Sequence, residues 1–464
     1  MGKLFGTDGI RGEANRYPMD AATAFSVGQA ITQVLRHNSH VPRVIIGKDT
    51  RISGYMLESA LESGVTSMGG MAYLVGVMPT PAIAYLTESM RADAGLVISA
   101  SHNPYSDNGI KVFGGNGCKL SDQQEAGIEE LILGGTLPEM VPPPKGMGRA
   151  KRLEAALGRY VVFLKSTFPR RLTMEGLKVA MDVANGATYK VAPAAFTELG
   201  AEATVIHDEP NGFNINDKCG SQHTGDLSKA VRQPGAAIGL AFDGDGDRLI
   251  AVDEKGNTIS GDQIILICAR MLQAEGRLEN ELLVTTVMSN LGLRVAASRY
   301  GMRYHASKVG DRNVLEDMMA MGAVLGGEDS GHVIFLDHHT TGDGILTALQ
   351  LVAAMLKDGR PLSEMAATAM DVFPQRLINV KVARKPDLSE VPEIVEAVAA
   401  AEAALGEQGR VLVRYSGTEN LCRVMVEGPT AEITEKWATG SGLAAVPYIR
   451  DSFTSPPPGD MLRT

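Results

Sequence analysis

Short runs rich in β-branched residues recur ahead of longer amphipathic stretches, and this alternation restricts the chain more than any other feature. RVIIGKD precedes MLESALESGVTSMG, LKVAMDVAN precedes KVAPAAFTELG, and AAIGLAFDGDGD is followed by DQIILICARMLQAE. Runs of this kind predict α/β layers with mostly parallel strands. In such sheets ligands gather beyond the carboxyl ends of the strands. Ser101 follows AGLVIS at one such end, and a cluster of acidic residues follows IGLAF at another.

At 464 residues the chain is too long for one core and should divide into several domains. The Pro/Gly-rich stretches GGTLPEMVPPPKGMG and MDVFPQR read as linkers, and DEKGNTISG interrupts the strand pattern. These breaks predict parts spanning 1–148, 149–255, 256–369 and 370–440. The remainder, 441–464, is rich in Gly, Ser and Pro and is expected to be disordered.

Acidic residues outnumber basic ones, 54 to 44, which leaves a formal charge of -10 and no basic surface for nucleic acid or an anionic membrane. Cys118, Cys219, Cys268 and Cys422 form no CxxC pair, which argues against a zinc ribbon or disulfide framework and for a reducing compartment. The first residues carry no signal pattern, and no apolar run approaches the roughly 20 residues that span a bilayer. The expectation is a cytoplasmic protein.

Four loops could carry chemistry. In Ser101-His102-Asn103-Pro104 the proline forces the preceding residue out of helical geometry, so the serine hydroxyl projects from a fixed turn. No GxSxG elbow is present, which argues against an acyl-transfer hydrolase. Asp243, Asp245 and Asp247 alternate with Gly244 and Gly246, a spacing that puts three carboxylates on one side of an extended chain around a hard divalent cation. Magnesium suits it, and an EF-hand does not, because Arg248 stands where that loop needs glycine. Glu328 and Ser330, in GEDSGH with His332, could exchange hydrogen bonds with neighbouring sugar hydroxyls. Arg414, Ser416, Gly417 and Thr418, with Arg423 on the next strand, make a pocket suited to phosphate. Arg11 in GTDGIRG and Lys308 in KVGDR add cations on glycine-flanked turns.

The serine loop, DGDGDR, GExSGH and RxSGTE, in this order from Gly6 to about Glu427, resemble the α-D-phosphohexomutase superfamily. GVMPTPAIAYLT, VANGATYKVAP and FNINDKCGSQH make the chain similar to its bacterial amino-sugar branch. The resemblance implies three related α/β domains with mixed sheets and a smaller C-terminal α+β domain around a central cleft. It further implies an isomerase that moves a phosphoryl group between O6 and O1 of glucosamine phosphate, supplying UDP-N-acetylglucosamine and peptidoglycan precursors. Ser101 would carry the phosphate and join Asp243, Asp245 and Asp247 around one Mg2+. His102, Lys111 and Arg248 would act at the transferring group. Arg11, Lys308, Glu328, Ser330, His332, Arg414, Ser416, Gly417, Thr418 and Arg423 would bind substrate. Glucosamine 1,6-bisphosphate or glucose 1,6-bisphosphate would be the activator, and a homodimer is expected. A phosphoglucomutase or phosphomannomutase, a magnesium-dependent sugar phosphatase and a non-catalytic sensor are the alternatives. The clamp reads SGTEN where many relatives have SGTEP, which bears on substrate preference.

Overall fold

The computed structural model describes residues 4–6, 8–36, 40–233, 235–382, 384–415 and 420–439. The chain forms two compact units, one made of 1–289 with 297–369 and the other of 290–296 with the segment from Met370. Ser416, Gly417, Thr418 and the tail 441–464 lie outside the described residues.

The first unit contains three mixed sheets. In the first, the strands lie in the order Ile10–Glu13, Asp107–Gly114, Ala94–Ile98, Arg43–Lys48, Met71–Val77 and Arg149–Arg152. Ala94–Ile98 is parallel to Arg43–Lys48 and antiparallel to Asp107–Gly114. The apolar run AGLVI is buried throughout, as a strand covered on both faces must be. One face packs Val44, Ile46, Leu96 and Ile98 against Val27 and Ile31 of the helix Ala21–Leu35 and Leu57, Leu61 and Val65 of the helix Ser53–Ser67. Asp20 caps the first of these helices by accepting the Thr23 N–H at 2.8 Å, an interaction worth about 1 kcal/mol.

The second sheet runs Thr258–Ile259, Leu249–Asp253, Ile238–Phe242, Lys178–Asp182, Glu202–Ile206, and the third Arg303–Ser307, Leu282–Thr286, Leu325–Gly327, Val333–Phe335. Two expected breaks fall inside this framework. Arg149–Arg152 pairs with Met71–Leu74 as an edge strand of the first sheet, so that sheet continues past residue 148. Thr258 and Ile259 pair with Val252 and Ala251, so Asp253–Gly261 contains a hairpin turn and the second sheet continues past residue 255.

The second unit is built on an antiparallel three-stranded sheet, Gln375–Lys381, Leu421–Glu427, Arg410–Tyr415. Helices Pro392–Leu405 and Ala431–Thr439 cover it, with Ala401, Leu405, Val424, Val426 and Ala438 in the core. Among the described residues, no helix is long and apolar enough to cross a membrane.

Candidate active site

Beyond Ile98 the chain turns sharply, and Ser101 adopts a left-handed backbone with φ 50°. A non-glycine residue holds that conformation only where its surroundings over-determine it. Here the Ser101 N–H donates to Ser99 Oγ at 2.9 Å, and Ser99 Oγ donates to Asp49 Oδ2 at 2.6 Å. The Ser101 carbonyl accepts from Arg51 Nη2 at 3.2 Å and from Asn216 Nδ2 at 2.9 Å. The same two side chains reach the Asn103 carbonyl, at 2.5 and 3.0 Å. Arg51 is fully buried and paired with Asp49. Burial pushes the Asp49 carboxyl up, against the pull of Arg51 and Ser99.

The Ser101 hydroxyl points at the acidic loop that follows Ile238–Phe242 and donates to Asp243 Oδ2 at 2.5 Å. Asp243, Asp245 and Asp247 are all buried, and each offers an oxygen within 4.8 Å of the others. Gly244 makes the approach possible, since a Cβ there would lie 2.6 Å from the Ser101 carbonyl oxygen and 2.7 Å from Asn216 Nδ2. Burial and the charges of Asp247 and Asp245 raise the Asp243 carboxyl well above its ordinary value. Asp245 Oδ1 and Asp247 Oδ1 are buried without a hydrogen-bond partner among the described residues. Crowded oxygens with unfilled lone pairs fit a hard divalent cation such as magnesium.

Lys111, on the strand Asp107–Gly114, closes the other side. Its Nζ lies 2.9 Å from Asp245 Oδ2 and 3.4 Å from both Asp247 Oδ2 and Asp8 Oδ2. Burial opposes the charge, but these carboxylates hold the ammonium well above its ordinary pKa. Arg11 and Lys119 also pair with Asp8. His102 places Nδ1 3.4 Å from Ser101 Oγ. Burial, then Arg248 and Arg11, lower its pKa to about 4, so the ring is neutral at pH 7.

The GEDSGH loop is pinned beside the acidic loop: the Leu249 N–H donates to the Gly331 carbonyl at 3.0 Å, and Glu328 Oε1 accepts the Gly310 N–H at 3.1 Å. Ser330 is exposed, with Oγ 3.4 Å from Glu328 Oε2. His332 lies beneath this loop. Gly331, at φ 91°, leads the chain inward, and the ring is 3% exposed. Its Nε2 accepts the Gly342 N–H at 3.1 Å, while Nδ1 lies 3.6 Å from Asp247 Oδ2. The ring therefore braces Asp247. Lys308 is exposed after Arg303–Ser307, and its charge helps to lower the Asp317 pKa. In the second unit, Arg414 and Arg423 face each other as register partners across the hairpin.

Asp49, Arg51, Thr80 and Asn216 escape the sequence reading. Thr80 Oγ1 donates to Asp245 Oδ2 at 2.6 Å from the first turn of the helix Thr80–Ser89. The available signal was KDTR directly after an apolar strand, where an acid and an arginine two residues apart share a side.

The sequence matches four models of phosphoglucomutase/phosphomannomutase: α/β/α domain I over residues 2–138, domain II over 158–256, domain III over 260–373 and the C-terminal domain over 377–440. It is 70% identical to phosphoglucosamine mutase of Syntrophobacter fumaroxidans, covering 94% of this chain and 97% of that protein. Identity to the enzyme of the same name from Syntrophus aciditrophicus is 60%, over 94% and 97% of the two chains. Among solved structures, a phosphoglucomutase/phosphomannomutase family protein from Burkholderia thailandensis superimposes with TM-score 0.76 at 23% identity, covering 97% of this chain and 96% of that one. Aspergillus fumigatus N-acetylphosphoglucosamine mutase, in complex with GlcNAc-6P and magnesium, gives TM-score 0.65 at 16% identity over 97% and 96% of the chains. The same fungal enzyme with glucose 1,6-bisphosphate gives 0.67 at 18%, over 98% and 96%.

Proposed function

Because this chain belongs to the phosphoglucomutase/phosphomannomutase family and, within it, to the bacterial phosphoglucosamine mutases, we propose that it interconverts glucosamine 6-phosphate and glucosamine 1-phosphate through phosphorylated Ser101 and a 1,6-bisphosphate. The observation that carries the residue assignments is Ser101 Oγ, 2.5 Å from Asp243 Oδ2 in a buried triaspartate loop and next to a buried lysine.

In the forward direction the sugar O1 attacks the phosphorus on Ser101, and the bond to Oγ breaks. The bisphosphate turns over, and Ser101 Oγ takes the phosphoryl group from O6. Asp243, Asp245, Asp247 and the Ser101 phosphate would hold Mg2+, which when bound polarises the phosphoryl oxygens. The remaining work falls to side chains. Lys111, held as a cation, offsets charge on the transferring group. We assign neutral His102, 3.4 Å from Oγ, a position beside the transferring group, and the proton lost by the attacking hydroxyl ends on the departing oxygen. Arg11 and Arg248 each carry a buried Nε with no hydrogen bond among the described residues, and we assign them to phosphate oxygens. Glu328 and Ser330 take sugar hydroxyls. Arg414 and Arg423, with Ser416, Gly417 and Thr418, form the clamp for the phosphate that is not reacting.

Within this reading the first two domain boundaries move to follow Arg152 and Ile259, so that each domain supplies one of the four loops. Unpaired cysteines support a cytoplasmic setting, and the homodimer is tested by sedimentation. The deciding experiment measures kcat/KM for glucosamine 6-phosphate and glucose 6-phosphate side by side, with Mg2+ and a trace of the matching bisphosphate. Preference for the amino sugar is expected. Equal or reversed preference would make this a general hexose phosphomutase, and release of inorganic phosphate alone would overturn the mutase reading.

A further inference from the structure

Directly behind the serine and acidic loops, three side chains of a different donor chemistry converge. Asp182 ends the strand Lys178–Asp182, His207 follows the strand Glu202–Ile206, and Cys219 lies in the loop that carries Asn216. One ligating atom of each lies within 4.8 Å of the others. Asp182 and Cys219 are 0% and 1% exposed. The Asp182 oxygens are oriented by the Ala184 N–H at 2.9 Å and the Gly220 N–H at 2.8 Å. His207 Nδ1 lies 3.1 Å from Asp182 Oδ2. Its Nε2 faces Asp226 Oδ2 at 3.8 Å, the arrangement in which an outer carboxylate orients a ligating imidazole.

Ala184, Asn185, His207, Asn216 and Lys218 all have φ between 48° and 58°, half of the ten non-glycine residues with positive φ among those described. The three segments that converge on the trio thus all carry left-handed backbone. Sulfur, nitrogen and carboxylate oxygen together select a borderline cation, unlike the all-oxygen loop beside it.

We propose that Asp182, His207 and Cys219 bind a Zn2+, with solvent at the fourth position on the side where His207 reaches the surface. The site fixes the loop 215–220, and through Asn216 it fixes the carbonyls of Ser101 and Asn103.

The test uses full-length protein stripped of metal, with excess Mg2+ present to fill the acidic loop, and Co2+ as the probe. One equivalent of Co2+ should give a thiolate-to-metal charge-transfer absorption, present in Cys118→Ser and absent in Cys219→Ser. Zn2+ should displace it stoichiometrically, and His207→Gln should weaken Co2+ binding at least about tenfold. Absence of the absorption in the wild-type protein at one equivalent overturns the proposal, whether or not Cys219→Ser folds. Its persistence in Cys219→Ser, or unchanged affinity in His207→Gln, does the same. The readout does not involve turnover, so it stands apart from the mutase assignment.

Discussion

Replacing Arg51 by methionine keeps most of the volume of a fully buried side chain and removes its charge and five-donor fork. Asp49 is then a buried carboxylate without its cation, and breaking a buried pair in this way costs about 3–5 kcal/mol. Two further donations, to the carbonyls of Ser101 and Asn103, disappear, leaving Asn216 to hold both. The penalty falls on the serine loop before the rest of the chain, because Asp49, Ser99 and Ser101 are linked in series. At 1.36 kcal/mol per decade it should raise hydrogen exchange at the Ser101 and Asn103 amides by about 10²–10⁴-fold. It should also lower kcat by at least about tenfold. Asn at position 49 removes the stranded charge, so Arg51→Met/Asp49→Asn should lose less than the sum of the two single variants by about 1–3 kcal/mol. Wild-type exchange and turnover in Arg51→Met, or additive losses in the double variant, would refute the reasoning.

Ser101→Ala should keep the circular dichroism of the wild type and lose essentially all mutase turnover and all phosphoserine by mass spectrometry; retained turnover removes the nucleophile assignment. Gly244→Ala pushes a methyl to 2.6 Å from the Ser101 carbonyl oxygen, a clash with backbone that costs about 1–3 kcal/mol and should cut kcat/KM about tenfold or more at saturating Mg2+. Burial lowers the His339 pKa to about 4. The unfolded chain therefore takes up this proton near pH 6.5 and the folded chain only near 4, so the stability present above pH 6.5 falls by about 3 kcal/mol as pH drops toward 4. His339→Asn should flatten that part of the unfolding-midpoint profile, and an unchanged slope would exclude the residue.

The acidic loop was legible because alternating Asp and Gly leave few other uses for buried carboxylates, and the serine loop because Asn-Pro fixes a turn. The left-handed Ser101 was not legible, because it depends on Arg51 and Asn216, which lie 50 residues before and 115 after it. His332 reads as a loop histidine available to substrate, and only the inward course at Gly331 turns it under Asp247. RAKR, assigned from the sequence to the second part, has all four residues exposed, yet its backbone completes the edge of the first sheet. Pairing through backbone groups alone leaves no hydrophobic pattern to detect.

Asn216 and Gly244 also set an order of events during synthesis. The first sheet can bury its strands once Arg152 has emerged, but the serine it carries still lacks one of its two clasps and all three carboxylates facing it. At translation rates of about 5–20 residues per second, roughly 7–30 s separate Ser101 from Asp247. Through that interval the growing chain holds a folded layer with an unarmed hydroxyl. On the proposed mechanism, phosphoryl chemistry at Ser101 would begin only when the second layer closes over it, and a chain that stalls between the two would neither take nor waste a phosphate.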